Sequence, residues 1–507
     1  MKSQIKIGAI LGYVNMIINI VITLLYTPLM LKLMGQSEYG LYSLVASVIG
    51  YLSVLDMGFG NAMIRFISRS KARNEVENEK TINGLFLFLY SIIGVIALLI
   101  GIIIIFNIGG IFKALTTEEL AKAKIIMEIL IFTIAISFPL SVFDSYVTSC
   151  EKFKFMKILA ILKTLAIPLT MIPLLFMGHK AITMVIVTSA YTIFFHLLVL
   201  YYCFVKLGMK IRFSLKNIDY PMLKDIFSYS FFIFLNIIVD NLYAHTDQVI
   251  LGAVSGTIAV SIYAVAQKIS TMNKQLSTNI SSVFFPRITK TLEEEDGDKK
   301  VSDIFINVSR IQLYILALVL CGFIVFGKQF IRLWVGEGYL DAYYILLLLM
   351  APGIIPLTQN IGISILQAKN IHMFRSITYL IIAIFNVIIS IPLAKLYAGV
   401  GAAIGTAIAN ILGQIVTMNI YYWKVAKIDI PKYWRRFIMF MVPLFIMTIV
   451  LNCYTKNIDL TWIQLIGSIV VFTILYCLYC IIYMNDEEKG YIKAIKNKLL
   501  SKGRKEG

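Results

Sequence analysis

The sequence predicts an all-α integral membrane protein of about 14 transmembrane helices, on three observations. Hydrophobic residues make up 59% of the 507 and charged residues only 15%, where a water-soluble domain carries about 25% charge. Apolar runs long enough to cross a bilayer, about 20 residues each, recur from end to end. Lys and Arg number 46 against 28 Asp and Glu, and most of that excess falls in alternate connections between the runs. Base distributed this way in so apolar a chain indicates a membrane-facing bias, not nucleic-acid binding.

The first run, 8–33, is too long for a signal-peptide core and no small-residue cleavage site follows it, so it reads as a retained helix. Runs at 41–64, 82–106, 125–147, 158–177 and 181–205 complete a first set of six. After the basic stretch Lys206–Asp225 come 226–248, 257–281, 303–326, 342–366, 377–394 and 400–422, then 437–454 and 460–484. The expected organisation is an N-terminal lobe (1–205), a cytoplasmic basic linker (206–225), a C-terminal lobe (226–422), two further helices (423–484) and a basic tail (485–507). In that tail Tyr491, Ile492, Ile495 and Leu499 fall on one face, as in an interfacial helix on an anionic leaflet.

With the N-terminus inside, the cytoplasmic segments hold 32 of the 46 Lys and Arg and the external connections 9. The basic-loop rule therefore places both termini in the cytoplasm. External connections do not exceed about 18 residues, too short for the catalytic loops of a membrane transferase. No P-loop is present, which excludes a self-contained ATP-driven pump. Gly58-Phe-Gly60 lies in a span and is not a dinucleotide loop. Cys150, Cys203, Cys321, Cys453, Cys477 and Cys480 lie in or beside apolar runs and imply no disulfide framework. His179, His196, His245 and His372 never fall at ligand spacing, so no metal site is indicated.

A gap-free shift of 221 residues pairs Asn15 with Asn236, Asn19 with Asp240, Gly35 with Gly256 and Tyr42 with Tyr263. The matched polar positions sit at i, i+4 on one helical face in both copies. Two such bundles would place a polar cavity between them near the midplane, with Asn15, Asn19 and Asn236 among its lining. Prolines 28, 139, 168, 173, 352, 356, 392 and 443 fall inside spans, which suits bent, rocking helices. Gly401, Gly405 and Ala409 form a stripe of small residues suited to close helix packing.

Charge inside a span costs roughly 2.5–3.5 kcal/mol at mid-bilayer, so depth selects the functional candidates. Lys163, Lys274 and Arg310 lie within about two turns of the cytoplasmic edge and can snorkel. Lys268 lies about 18 Å into its helix at 1.5 Å per residue, too deep to reach water along a lipid-facing side. Asp240 is at similar depth, so a structural Asp240–Lys268 pair competes with a cavity role. Asp247 follows seven residues later on nearly the same face, with His245 beside it, and the two acids form a candidate cation or proton site. Asp56 is deep and Arg65 near the cytoplasmic edge; pairing between them, or bending at Gly58 and Gly60, competes with gating. Asp144 reads as interfacial.

The run Leu33-Met-Gly-Gln-Ser-Glu-Tyr-Gly-Leu-Tyr-Ser-Leu44, followed by Tyr51 to Arg65, resembles the opening of the polysaccharide (O-antigen and capsule repeat-unit) flippases. These belong to the multidrug/oligosaccharidyl-lipid/polysaccharide exporter superfamily. Asp247-Gln-Val-Ile-Leu-Gly252, Ser261-Ile-Tyr-Ala-Val-Ala-Gln-Lys268, Phe285-Pro-Arg287, Leu366-Gln-Ala-Lys369 and Gly399-Val-Gly-Ala-Ala403 extend the likeness over nearly the whole chain. Ser261 stands where the family often has Gly. The resemblance implies 12 to 14 helices in two lobes and a central cationic cavity. It also implies alternating access that moves an undecaprenyl-diphosphate-linked oligosaccharide between leaflets of a bacterial plasma membrane, working as a monomer among membrane lipids and polysaccharide biosynthesis proteins. In that setting Lys268 is the best-placed base for the diphosphate. Lys163, Lys274, Arg310 and Arg65 form its cytoplasmic approach, and Asp56, Asp240 and Asp247 couple to sodium ions or protons. The competing readings are a drug/cation antiporter of the same superfamily and a flippase for a peptidoglycan or wall-polymer precursor.

Overall fold

A bilayer core offers no water to the backbone, so spanning segments must satisfy their peptide groups internally. The computed structural model answers with helices throughout. It describes residues 2–213, 220–455, 458–484 and 488, and contains no strand among them. In chain order the helices are α1 (Lys2–Met34), α2 (Gln36–Leu52), α3 (Phe59–Ala72), α4 (Val76–Ile111), α5 (Thr117–Ser149), α6 (Phe153–Phe176) and α7 (Ala181–Val205). Then come α8 (Tyr220–Val254), α9 (Gly256–Ser282), α10 (Phe285–Leu292), α11 (Gly297–Val335), α12 (Asp341–Thr358) and α13 (Ile361–Ala368). The last four are α14 (Met373–Asn410), α15 (Met418–Lys424), α16 (Ile430–Thr455) and α17 (Trp462–Tyr483). The tail positions Tyr491, Ile492, Ile495 and Leu499, and residues 214–219 of the basic linker, lie outside the described residues.

Helix ends are marked by local chemistry. Gly35 separates α1 from α2 with φ +87°, and Gly256 opens α9 just after the end of α8 with φ +82°. That left-handed region is open to glycine and strained for other residues, so the 221-residue shift pairs two junctions of one conformation. Thr116 caps α5 reciprocally with Glu119, and Thr461 caps α17 with Gln464, both in the capping-box pattern. The α2–α3 break is a short 3-10 turn, Ser53–Asp56, followed by left-handed Met57 and Gly58.

Among the described residues twelve segments are long and apolar enough to cross a membrane, against the 14 expected. The difference arises at two places. The expected run 257–281 is helical, as part of α9, but is too polar to qualify. The expected pair 377–394 and 400–422 forms one 52-residue segment, Met373–Lys424. That segment bends back on itself, because Tyr397 and Ala398 leave helical geometry, Ala398 at φ 46°. Its limbs are held by Asn386 Nδ2 donating to Thr406 Oγ1 at 3.2 Å. A methyl group on Gly401 would overlap the Leu393 carbonyl oxygen, so the small-residue stripe packs against the preceding limb of its own hairpin.

The chain forms two compact units, residues 1–269 with 373–413, and residues 270–372 with 414–507. In the first, buried Phe59 meets Phe86, Tyr90 and Phe227 edge-on, with centroids 5.3–6.4 Å apart. Phe138, Phe143 and Tyr146 extend that core. In the second, the 39-residue α11 is the central strut. Its Phe305 packs on Tyr422 and Tyr433, and its buried Gln312 donates to the Ser277 carbonyl at 3.0 Å and to Ser281 Oγ at 2.6 Å. Exposed Phe106, Ile463 and Ile482 belong to the lipid-facing surface of this membrane protein.

Candidate functional site

On α8 of the first unit the polar residues rise in steps of one or two turns. Asn236 Oδ1 accepts from Ser376 Oγ at 3.1 Å, Asp240 is exposed, and Asp247 is only 5% exposed. A buried carboxylate is costly unless its lone pairs are satisfied. Asp247 Oδ2 accepts from the Tyr263 hydroxyl on α9 and from Thr406 Oγ1 on α14, the latter at 2.8 Å. Asp247 Oδ1 is buried with no hydrogen-bond partner.

Behind the carboxylate lies a second layer of oxygens. Ser390 Oγ donates to Asn386 Oδ1 at 2.9 Å and reaches the Ala402 carbonyl at 3.4 Å. Asn386 and Ser390 are one turn apart on the first limb of α14, and Ala402 and Thr406 one turn apart on the second. The hairpin therefore brings two i, i+4 pairs face to face beside Asp247. The assembly offers one anionic and several neutral oxygens with no nitrogen acceptor or sulfur. That set suits a proton or a small hard cation. The sequence reading singled out Asp247 but missed Tyr263, Asn386, Ser390 and Thr406, because it ranked intramembrane positions by charge. Polar pairs spaced i, i+4 within apolar runs were the available signal.

Lys268, five residues after Tyr263 on α9, is half-buried. Its Nζ lies 3.4 Å from Thr27 Oγ1 and 5.5 Å from the centroid of the Tyr39 ring. No carboxylate lies within salt-bridge distance of it among the described residues, so the alternative Asp240–Lys268 pair is absent. Next to it, Gln267 donates to the Ala244 carbonyl at 2.6 Å and accepts from Gln248, which in turn accepts from Ser47 at 2.7 Å. Tyr51 and Thr246 join hydroxyls at 2.5 Å. This ladder fixes α2, α8 and α9 around the lysine and the aspartate.

The remaining candidates separate. Asp56 accepts from Tyr90 at 2.6 Å, while Arg65 lies over the Tyr229 ring at 4.6 Å. The Asp56–Arg65 pair considered from the sequence does not form. His245 packs edge-on against Tyr51. Lys163 on α6 is half-buried within electrostatic range of Asp144, which pairs with His196 at 2.9 Å. Asn15 on α1 is half-buried with its Oδ1 unpartnered, whereas Asn19 is exposed. In the second unit, Lys274 is exposed and Arg310 binds Glu488 at 3.0 Å. Arg310 is thus satisfied within its own unit.

One end of the first unit is tied shut. Ser37 and Thr257 both donate to Glu119 Oε1 at 2.7 Å, and Lys122 pairs with Glu38 at 2.7 Å. These bonds join the starts of α2, α5 and α9.

Solved structures share this many-spanning helical fold. The fold aligns with a lipid II flippase, MurJ, in an inward closed conformation, at TM-score 0.68 and 17% identity, covering 94% of this chain and 98% of that one. It also aligns with a multidrug resistance transporter of the MATE family in an inward-facing conformation, at TM-score 0.60 and 17% identity, over 83% and 99% of the two chains. The chain belongs to the polysaccharide biosynthesis protein family, whose model matches residues 6–292. Among curated relatives, the "Putative O-antigen transporter" of Shigella flexneri is 22% identical over 404 residues, 76% of this chain and 90% of that protein.

Proposed function

We propose that this protein flips an undecaprenyl-diphosphate-linked oligosaccharide repeat unit from the inner to the outer leaflet of a bacterial plasma membrane. The observation that carries the reading is Lys268: a half-buried ammonium on α9, facing a hydroxyl and an aromatic ring, with no carboxylate within salt-bridge distance among the described residues. A diphosphate leaving water needs such a cation to replace its lost hydration. The family and the O-antigen relative support a glycan cargo. Arg65, Lys163, Lys274 and Arg310 then serve as basic steps on the cytoplasmic approach. Both termini are cytoplasmic, and one chain suffices.

Transport proceeds by alternating access of lobes 1–205 and 226–422, with 14 crossings. The Asp247 cluster takes a sodium ion or a proton, and its occupancy biases the two states. Differential affinity of the ion for the two states is what couples a gradient to movement. Asp240 and Asp56 are secondary candidates for that role. Wall-polymer or peptidoglycan-precursor cargo differs only in the headgroup sugar. A drug/cation antiporter, the reading that the multidrug neighbour keeps in play, would place acid rather than Lys268 at mid-depth.

The test is translocation of a fluorescent undecaprenyl-diphosphate oligosaccharide in proteoliposomes, with and without an imposed ion gradient. Flipping by wild type that is lost in Lys268→Ala supports the reading. Uptake of an organic cation with no flipping of any polyprenyl-diphosphate cargo moves the assignment to the antiporter.

A further inference from the structure

The second unit carries a charged feature of which the transport reading uses only Arg310. A groove of about 440 Å³ runs between α11, α16 and α17. Its rim holds Arg310, Lys432, Arg435 and Arg436, and its floor is Tyr314, Phe440 and Tyr483. The floor is continuous: the Tyr314 and Phe440 rings lie 5.1 Å apart, and those of Phe440 and Tyr483 5.6 Å.

Three of the four cations stand in the first two turns of α16, and the first turn holds no acidic side chain. A helix N-terminus is the positive end of the peptide dipole, and Asp429 already answers this one, its Oδ1 accepting from the Lys432 amide at 3.0 Å. Two of the four cations are neutralised within the unit, Arg310 by Glu488 at 3.0 Å and Lys432 by Asp303 at 2.8 Å. Arg435 and Arg436 have no carboxylate within salt-bridge distance among the described residues. Arg435 and Arg436 are therefore the two cations of the groove open to an anion from outside it.

We propose that this groove holds the phosphate headgroup of an anionic membrane phospholipid. The surface next to the arginines selects that occupant. Ile438, Met439 and Val442 are at least half exposed and continue along α16 from the cationic turn. A free phosphate would use the arginines and leave this apolar strip uncovered. A phospholipid covers both, its phosphate on the guanidiniums in the bidentate geometry that arginine favours and its acyl chains along α16. Phospholipids also outnumber any carrier lipid in a bilayer, and this surface needs no cargo to fill it. The inference is independent of what the protein transports.

The test uses the full chain, purified from nanodiscs of equal phosphatidylglycerol and phosphatidylcholine, with retained lipid counted by native mass spectrometry. Wild type should keep phosphatidylglycerol. Arg435→Ala/Arg436→Ala should lose it on the order of 30-fold, from about fivefold per interfacial cation. Arg435→Lys/Arg436→Lys should keep most of it, and the charge-matched control Lys290→Ala/Lys299→Ala should match wild type. Should the double alanine variant fail to elute as one species, Arg435→Gln and Arg436→Gln measured singly carry the same test. Equal retention in all variants, or equal retention of phosphatidylcholine, would overturn the proposal. So would displacement by millimolar inorganic phosphate, which would make the groove a free-anion site. Displacement by an equimolar polyprenyl diphosphate would overturn it in favour of the cargo lipid.

Discussion

Asp247 and Lys268 lie in the same unit, on consecutive helices, and are enclosed in opposite ways. The aspartate is buried, and its hydrogen-bond donors are hydroxyls, Tyr263 from α9 and Thr406 from the second limb of the α14 hairpin. The lysine is half-buried, with one long hydrogen bond and a ring face for company. A sealed charge responds only to something as small as a proton or a bare ion, because nothing larger reaches it without moving the helices. An open, weakly satisfied charge is available to a large ligand and is held in place by little. In the proposed function this difference matches the two residues to different partners, an ion for the aspartate and the cargo headgroup for the lysine.

The contrast can be broken most sharply at the lysine. Lys268→Ala should cut translocation of a diphosphate-linked cargo roughly 100-fold, the order expected when a charge-assisted hydrogen bond of about 3 kcal/mol is lost. Abundance should stay at the wild-type level, since few internal contacts are removed, and Lys268→Arg should retain part of the flux. Wild-type transport by the alanine variant would remove the lysine from the site. At the aspartate, Asp247→Asn keeps the shape and removes the charge. Dependence of flux on the ion gradient should vanish, and cation affinity should fall by about 30-fold, corresponding to about 2 kcal/mol. Persistence of the same gradient dependence would end the coupling role.

Sharper resolution comes from the hairpin. Thr406→Val removes one donor to Asp247 and should weaken cation binding about fivefold, near 1 kcal/mol, read by isothermal titration in detergent. The smallest effect should come from Asp240→Asn. That side chain is exposed and lies outside the Asp247 cluster, so its variant should change cation affinity by less than about twofold. A larger loss there than at Asp247 would reverse the comparison.

Much of this architecture was legible because a bilayer makes helical, apolar runs nearly compulsory. The repeat Gly35/Gly256 could be found from spacing alone, since both positions need a backbone that other residues resist. The α14 hairpin was harder. Its turn uses Tyr397 and Ala398, neither a turn-forming residue, and its closeness comes from Gly401, whose meaning depends on which limb it faces. α9 failed the span criterion because it carries the polar residues Gln267, Lys268, Asn273 and Lys274, among them the candidate function itself. At the candidate site, charge pointed to Asp247 and Lys268. Their partners are neutral side chains that become informative only once the hairpin brings 386 and 390 opposite 402 and 406.

The Asp247 cluster also has a history in time. Thr406 follows Asp247 by 159 residues, and the chain builds all of 270–372, part of the other unit, before supplying it. At a synthesis rate of about 5–20 residues per second, α8 enters the membrane on the order of ten to thirty seconds before α14 can close over its carboxylate. During that interval the acid must stay hydrated, protonated or held near the bilayer surface. Insertion of α8 is therefore a provisional event that only the late hairpin completes, and truncations between residues 254 and 373 should leave α8 the segment most readily captured by membrane quality-control proteases.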